Sequence, residues 1–76
     1  MKQMLTDIAK AIVNDPDSVS VSEKVSGDVC ILELSVAKDD MGRVIGRNGR
    51  IAKCIRTLIR SAAIKQNKRV IVEIIQ

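Results

Sequence analysis

Residues 42–50 read Gly-Arg-Val-Ile-Gly-Arg-Asn-Gly-Arg, and this stretch decides how the 76-residue chain is expected to fold. Gly46 and Gly49 can take positive φ angles, and neither has a Cβ that would hold a ligand away from the backbone. Between two helices they allow the backbone to turn sharply. The first N–H groups of the following helix have no partners within it and lie at the positive end of its dipole. A phosphate group can therefore lie against this turn.

The side chains in and around the turn suit the same ligand. Arg47 supplies a guanidinium that can bind phosphate through two hydrogen bonds, Asn48 supplies an amide donor, and Arg50 supplies a further cation. Arg43 and Lys53 lie within reach and would add long-range attraction. The alternative for the glycines is a plain turn between helices, and the alternative for the cations is a solvated helix face.

The spacing excludes two other glycine-rich phosphate loops. A Walker loop continues with Gly-Lys-Ser or Gly-Lys-Thr, and a dinucleotide fingerprint needs a strand that leads directly into one helix within a longer α/β chain. The sequence also contains no His, and neither paired carboxylates nor a nucleophile with its base accompany the turn. We therefore expect a binding protein and not an enzyme.

Hydrophobic periodicity divides the chain around the turn into helices and strands. The patterns predict helices over 3–14, about 40–46 and about 50–66, and strands over 18–25, 29–37 and about 69–75. Pro16 ends the first helix, because proline cannot continue the helical hydrogen bonds. Ser26-Gly27-Asp28 is typical of a turn. Asp39 and Asp40 are expected to cap the short second helix ahead of Met41.

This order, α-β-β-α-α-β, predicts an α+β fold. The first two strands are close enough to pair as an antiparallel hairpin. The helical connection between the second and third strands makes them parallel. We expect a three-stranded mixed sheet with three helices on one face. The chain is too short for a second domain, so residues 1–76 form one domain: about 1–28 make an N-terminal helix and edge strand, and 29–76 make the β-α-α-β core.

The composition excludes several classes of site. With no His and only Cys30 and Cys54, the chain cannot build a four-ligand zinc site, and we expect neither a metal nor a cofactor. Both cysteines are interpreted as reduced, buried packing groups, with a disulfide as the alternative. Charged residues interrupt the N-terminal segment, and the apolar runs are too short for a signal peptide or a membrane span. The expected compartment is the cytoplasm.

Charge is distributed unevenly along the chain. Residues 1–40 contain four Lys and eight acidic residues, whereas residues 41–76 contain nine Lys or Arg and one acidic residue. The net charge of +4 is therefore the sum of an acidic part and a strongly basic part. A basic region of this kind favours a polyanionic partner, and a solvated surface is the alternative.

The segment Val44-Ile45-Gly46-Arg47-Asn48-Gly49 resembles the signature of the KH domain, a module that binds single-stranded nucleic acid. The extra helix and strand ahead of the core resemble the type II, or bacterial, arrangement. The length and the motif are similar to the small bacterial KH proteins of the KhpA (YlqC-like) family. That resemblance implies RNA binding as a chaperone or adaptor, self-association, and pairing with a second KH protein of the KhpB (Jag, EloR) type in the control of cell elongation and division.

A KH-like binding mode assigns roles to the residues around the turn. Such domains hold about four nucleotides in a groove beside the turn. The groove floor is assigned to Val44, Ile45, Ile55 and part of strand 29–37, with either Val44 or Ile45 belonging to the core instead. The residues assigned to RNA binding are Arg43, Val44, Ile45, Gly46, Arg47, Asn48, Gly49, Arg50 and Lys53. Single-stranded DNA and a protein-interaction scaffold with weak nucleic-acid binding are the alternative functions.

The long helix has more apolar residues than one buried face needs. Ile51, Cys54, Ile55, Leu58 and Ala62 are interpreted as its core face. Ala52, Ile59 and Ala63 form a shoulder beside it, and together with Leu58 they are predicted to be a dimer interface, with a wide buried face as the alternative. Ala52 occupies a position where many KH domains have a larger aliphatic residue, so either the helix is rotated or Ala52 makes room for close packing.

Overall fold

Three helices and three strands follow one another in the computed structural model, which describes residues 1–75. The helices are α1 (Lys2–Ile12), α2 (Met41–Ile45) and α3 (Arg50–Lys65), and the strands are β1 (Ser20–Ser26), β2 (Val29–Ser35) and β3 (Arg69–Ile75). The predicted α+β order is confirmed, with boundaries that differ by up to two residues. Gln76, the last residue of the predicted domain, lies outside the described residues.

The sheet has the order β1-β2-β3, so that β2 is the central strand. β1 and β2 pair antiparallel, and the hairpin closes where Ser26 pairs with Val29. β3 pairs with β2 in parallel, with Cys30 opposite Val70. The predicted mixed sheet and its strand directions are therefore confirmed.

One face of the sheet forms the core and the other remains uncovered. Alternating residues of the strands point toward the helices, and the buried ones are Val21, Leu32, Leu34 and Val72. α1 contributes Leu5 and Ala9 to the same core. The opposite face carries Ile71 and Ile75, which are 49% and 39% exposed. No helix of residues 1–75 is long and apolar enough to cross a membrane.

The buried face of α3 differs from the predicted one. The buried residues of α3 are Ala52, Ile55, Ile59 and Ala63, spaced i, i+3, i+7 and i+11. Of the predicted core face, Ile51, Cys54 and Leu58 are exposed instead, and Ile55 alone is fully buried. The predicted core face of this helix is therefore rotated from the actual one by about a quarter turn.

The side chains that α3 buries differ in size. Ile55 and Ile59 pack into the core that also contains Leu32, and Ala52 and Ala63 are small residues on the same buried face. Ala52, Ile59 and Ala63 are thereby enclosed in the domain itself and cannot face a second copy. The predicted dimer interface is corrected for these residues, and Leu58 remains available because its side chain is 51% exposed.

The two cysteines are free thiols in different environments. Cys30 on β2 is half-buried and donates its S–H to the Glu23 carboxylate, with a distance of 3.5 Å between Sγ and Oε2. Burial raises the pKa of the Cys30 thiol, and the neighbouring Glu23 carboxylate raises it further. Cys54 on α3 is exposed, so its prediction as a buried packing group is wrong.

Asp40, at the start of α2, is the charged residue that the core encloses, with 2% of its surface exposed. Its Oδ1 accepts a hydrogen bond from the Asn14 backbone N–H at 3.1 Å, and its Oδ2 accepts one from Asp15 at 3.0 Å. Asp40 occupies the predicted N-cap position of α2, but its carboxylate binds the segment that follows α1 and makes no capping hydrogen bond to α2. Asp40 ties the end of α1 to the start of α2.

Replacing Asp40 with Ala should destabilise the domain substantially. The change leaves two backbone N–H groups without their charged acceptor, and we expect a loss of roughly 2–4 kcal/mol in the free energy of unfolding. Urea denaturation followed by far-UV circular dichroism measures this loss, since the chain has no aromatic fluorophore. Asp39→Ala is the matched control, because Asp39 is exposed and its loss should cost less than about 0.5 kcal/mol. Equal stability of the two variants would contradict the role of Asp40.

Candidate nucleic-acid interface

The segment between α2 and α3 is a tight turn in which three of four residues have positive φ angles. Gly46 has φ 75° and ψ 175°, Asn48 has φ 56° and ψ 26°, and Gly49 has φ 74° and ψ 14°. The Gly46 N–H donates to the Gly42 carbonyl at 2.9 Å, and the Gly49 N–H donates to the Gly46 carbonyl at 3.2 Å. The positive φ values expected for both glycines are confirmed. Asn tolerates the left-handed conformation better than most residues do.

The two glycines are needed for different reasons. The conformation of Gly46 falls in a region that is essentially restricted to glycine. A Cβ at this position would also lie 2.9 Å from the backbone nitrogen of Ile51, closer than real contacts allow. A Cβ on Gly49 would meet open space, so only its left-handed backbone favours glycine there. Ile51 thus occupies the space that the missing side chain of Gly46 leaves.

The polar residues predicted to bind a ligand lie together at the start of α3. Arg47, Asn48, Arg50 and Lys53 are all exposed. No side chain caps the N-terminus of α3, where Gly49 occupies the capping position. The Arg50 N–H donates to the Arg47 carbonyl, and no capping side chain competes with an external acceptor at the positive end of the α3 dipole. Cationic side chains and helix N–H groups together form a site suited to a phosphate.

Arg43 has protein partners of its own. Its Nε lies 3.8 Å from Oδ1 of the buried Asp40. The Asn14 amide, oriented with its oxygen toward the guanidinium, accepts hydrogen bonds from Arg43 Nη2 and Nε at 3.0 and 3.1 Å. These contacts hold Arg43 toward the segment that follows α1. Sequence reasoning could have found this network only from the Asp–Arg spacing of i and i+3 on α2.

The predicted groove floor needs correction. Val44 and Ile55 are enclosed in the core, with 0% and 2% of their surfaces exposed, so neither side chain can line a groove. Of the pair Val44 and Ile45, one was expected in the core and one at the surface, and Ile45 is the exposed member. Ile45 directly precedes Gly46 and offers an apolar surface next to the cationic turn.

The electrostatic character of α3 is uniform. Its residues Arg50–Lys65 include no Asp or Glu, and its cations are Arg50, Lys53, Arg56, Arg60 and Lys65. Arg56 reaches over the edge of the sheet, where its Nε donates to the Val72 carbonyl at 3.2 Å. Within residues 1–75 no cluster of three or more His, Cys, Asp or Glu side chains could hold a metal ion. The arrangement of cations on α3 is suited to binding an anion.

Comparison with known sequences gives consistent matches over the full length. Residues 2–74 match the family described as "KhpA/KhpB, KH domain". The chain is 61% identical over 75 residues to the RNA-binding protein KhpA of Clostridium acetobutylicum, covering 99% of this chain and 100% of that protein. It is 53% identical, with the same coverage, to the RNA-binding protein KhpA of Clostridium perfringens.

Comparison with solved structures identifies the same fold in a larger protein. A variant of Era from Aquifex aeolicus, bound to GDP and aluminium fluoride, superposes with a TM-score of 0.69 and 20% identity. Era in complex with a GTP analogue and nucleotides 1506–1542 of 16S ribosomal RNA gives a TM-score of 0.60 and 16% identity. Each match covers 96% of this chain, which corresponds to 28% of the Era chain. At these identities the likeness shows the fold alone.

Replacing Gly46 and Gly49 with Ala in separate variants should distinguish the steric requirement at Gly46 from the purely conformational requirement at Gly49. Gly46→Ala combines a glycine-only backbone with a clash against Ile51, and we expect it to lower the free energy of unfolding by about 2–4 kcal/mol. Gly49→Ala has only the left-handed backbone to overcome and should cost about 1–2 kcal/mol. Urea titrations of both variants measure the difference. A Gly46→Ala protein as stable as Gly49→Ala would show that Ile51 moves aside without cost.

Proposed function

The chain belongs to the KhpA/KhpB family of KH domains, a non-catalytic family, and on that premise we propose that it binds single-stranded RNA through the Gly46–Gly49 turn. The observation that carries this proposal is that the N-terminus of α3 has no side-chain cap and is surrounded by exposed polar side chains, those of Arg47, Asn48, Arg50 and Lys53. A backbone phosphate placed against the turn would accept hydrogen bonds from main-chain N–H groups and from these side chains.

The composition limits how tightly and how selectively such a site can bind. The chain has no Phe, Tyr or Trp, so no aromatic side chain can stack on a base. Ile45 offers an aliphatic contact surface beside the turn. Binding therefore depends mainly on phosphates, and we expect modest affinity, shallow base preference and strong salt dependence. Discrimination of RNA from DNA would require a contact to the 2′-hydroxyl.

A cellular role as an RNA chaperone or adaptor follows from sequence-tolerant binding of this kind. We extend the proposal to pairing with a second KH protein of the KhpB type, because the matching family comprises both KhpA and KhpB domains. Participation in the control of cell elongation and division belongs to the same proposal. An RNA ligand of this kind would place the protein in the cytoplasm.

Binding of a labelled, unstructured RNA pool across a salt series tests the turn. If the turn engages two to four phosphates, log affinity should fall with log salt with a slope of about −1.4 to −2.8. Arg47→Asp/Asn48→Asp should lose most of the binding, because it places two carboxylates where phosphate would lie. Asp tolerates the backbone of position 48, so this variant should remain folded.

The control for this variant is Gln3→Glu/Lys10→Glu, which changes the net charge equally but places the acids on α1, which covers the β1 side of the same sheet face. It should bind RNA nearly as well as the wild type. Equal binding by the turn variant and the wild type would contradict the proposal. Equal binding of a matched DNA pool would redirect it to single-stranded nucleic acid in general.

We also propose self-association, through exposed residues of α3 instead of the buried Ala52, Ile59 and Ala63. Ile51, Cys54 and Leu58 form an exposed apolar strip on α3 at spacing i, i+3 and i+7, separate from the buried face. Covering this strip with the same strip of a second copy would bury apolar area that the small core leaves uncovered. Leu58 is the predicted interface residue that the fold leaves free for this role.

The substitution Leu58→Lys should convert a dimer into a monomer in sedimentation experiments, because it places a charge in the centre of the strip. The folded domain should tolerate it, since the side chain is already half exposed. Ile64→Lys is the matched control: Ile64 is 66% exposed on another side of α3, and its replacement should leave the dimer intact. A folded Leu58→Lys protein that still sediments as a dimer would exclude this strip as the interface.

A further inference from the structure

A second basic surface lies at the far end of α3 from the turn. It is a groove of about 380 Å³ between the end of α3 and the start of β3. Its lining combines cationic and aliphatic side chains and includes no acid: Val29, Arg60, Ile64, Lys68, Arg69, Val70 and Ile71. None of the residues assigned to the phosphate-binding turn contributes to it. The sequence analysis did not predict it, because its residues come from three separate segments of the chain.

A line of cations joins the turn to this groove. Lys53, Arg56 and Arg60 recur at i, i+3 and i+7 and therefore share one side of α3. The hydrogen bond from Arg56 to the Val72 carbonyl places that side along the free edge of β3. Because α3 contains no acid, nothing on the helix interrupts the positive potential between its two ends.

The far limit of this basic surface is marked by acidic residues. A neighbouring cavity of about 300 Å³ shares Lys68 and Arg69 with the groove but is also lined by Glu23 and Asp28 of the β1–β2 hairpin. Their carboxylates would repel a phosphate. On β3 itself the acid is Glu73, which pairs in register with Glu33 away from the helices. A polyanion that follows α3 would therefore end at the groove.

We infer that the RNA strand held by the turn continues along the cationic side of α3, beside the free edge of β3. Its next segment is bound in the groove of Arg60, Lys68 and Arg69. This inference rests on the proposed function. α3 has 16 residues and is about 24 Å long. That length accommodates up to about seven nucleotides of a stacked strand and fewer of an extended one. Ile64 and Ile71 supply aliphatic contacts for the bases in the absence of aromatic residues.

Affinity measured against RNA length tests this inference. The probes are labelled oligouridines of about four and about twelve nucleotides, which have no stable secondary structure, and the full-length protein is used throughout. The wild type should bind the long probe at least about tenfold more tightly than the short one and with a steeper salt slope. Arg60→Gln/Arg69→Gln should lose most of that advantage, with its slope on the long probe reduced by about 1.4, and should bind the short probe as the wild type does.

A control variant tests whether net charge alone explains the result, and a second groove variant tests whether the effect is reproduced. Lys10→Gln/Lys24→Gln removes the same charge from α1 and from β1, the opposite edge of the sheet, and should keep the length dependence of the wild type. Arg60→Gln/Lys68→Gln should reproduce the effect of the first groove variant, and all the replaced side chains are exposed, so the fold should persist.

The outcomes separate this inference from the proposed function. If the wild type binds both probes equally, or if both groove variants keep the full advantage of the long probe, the groove has no role and binding by the turn stands. If the wild type binds neither probe, the proposed function fails and the inference fails with it. If the control variant loses the length dependence as the groove variants do, the effect reflects net charge and the inference is overturned.

Discussion

A buried carboxylate connects the segment that follows α1 to the start of α2. Asp40 accepts hydrogen bonds from the backbone that follows α1 and lies beside Arg43, one turn further along α2. A charge in this position is stable only because these donors replace the water that it has lost. The contact fixes where α2 begins, and α2 leads directly into the segment Gly46–Gly49. The geometry of the Gly46–Gly49 turn therefore depends on a contact that lies outside it.

Much of the fold could be predicted because it depends on local pattern. The alternation of β1, the apolar β2 and the helix–glycine–helix segment gave the order of elements and the strand directions. The rotation of α3 could not be predicted from hydrophobicity, because two apolar strips that share Ile55 compete for the core. The choice between them depends on packing between distant elements, which buries Ala52 and Ala63 and leaves the larger Ile51 and Leu58 exposed.

The candidate site likewise has features that could be predicted from sequence and features that could not. Glycines with positive φ and exposed cations at the start of α3 could be predicted, because the turn is contiguous in sequence. The contact of Arg43 with Asn14 could not, since Asn14 lies far from it along the chain. The burial of Val44 likewise follows from packing between elements. The result is a helix α3 with three distinct sides: one buried against the sheet, one cationic along the edge of β3, and one carrying exposed apolar residues.

The parallel pairing of β2 with β3 also has a kinetic consequence. Cys30 lies opposite Val70, 40 positions further along the chain, so the central strand finds its second neighbour only after a long loop has closed. Contacts of such separation slow folding relative to a helical bundle of the same size. The Gly46–Gly49 turn lies inside that loop, and Ile51 packs against Gly46 where a side chain at position 46 would clash with it. In cooperative two-state folding, the turn and the sheet therefore form in the same transition.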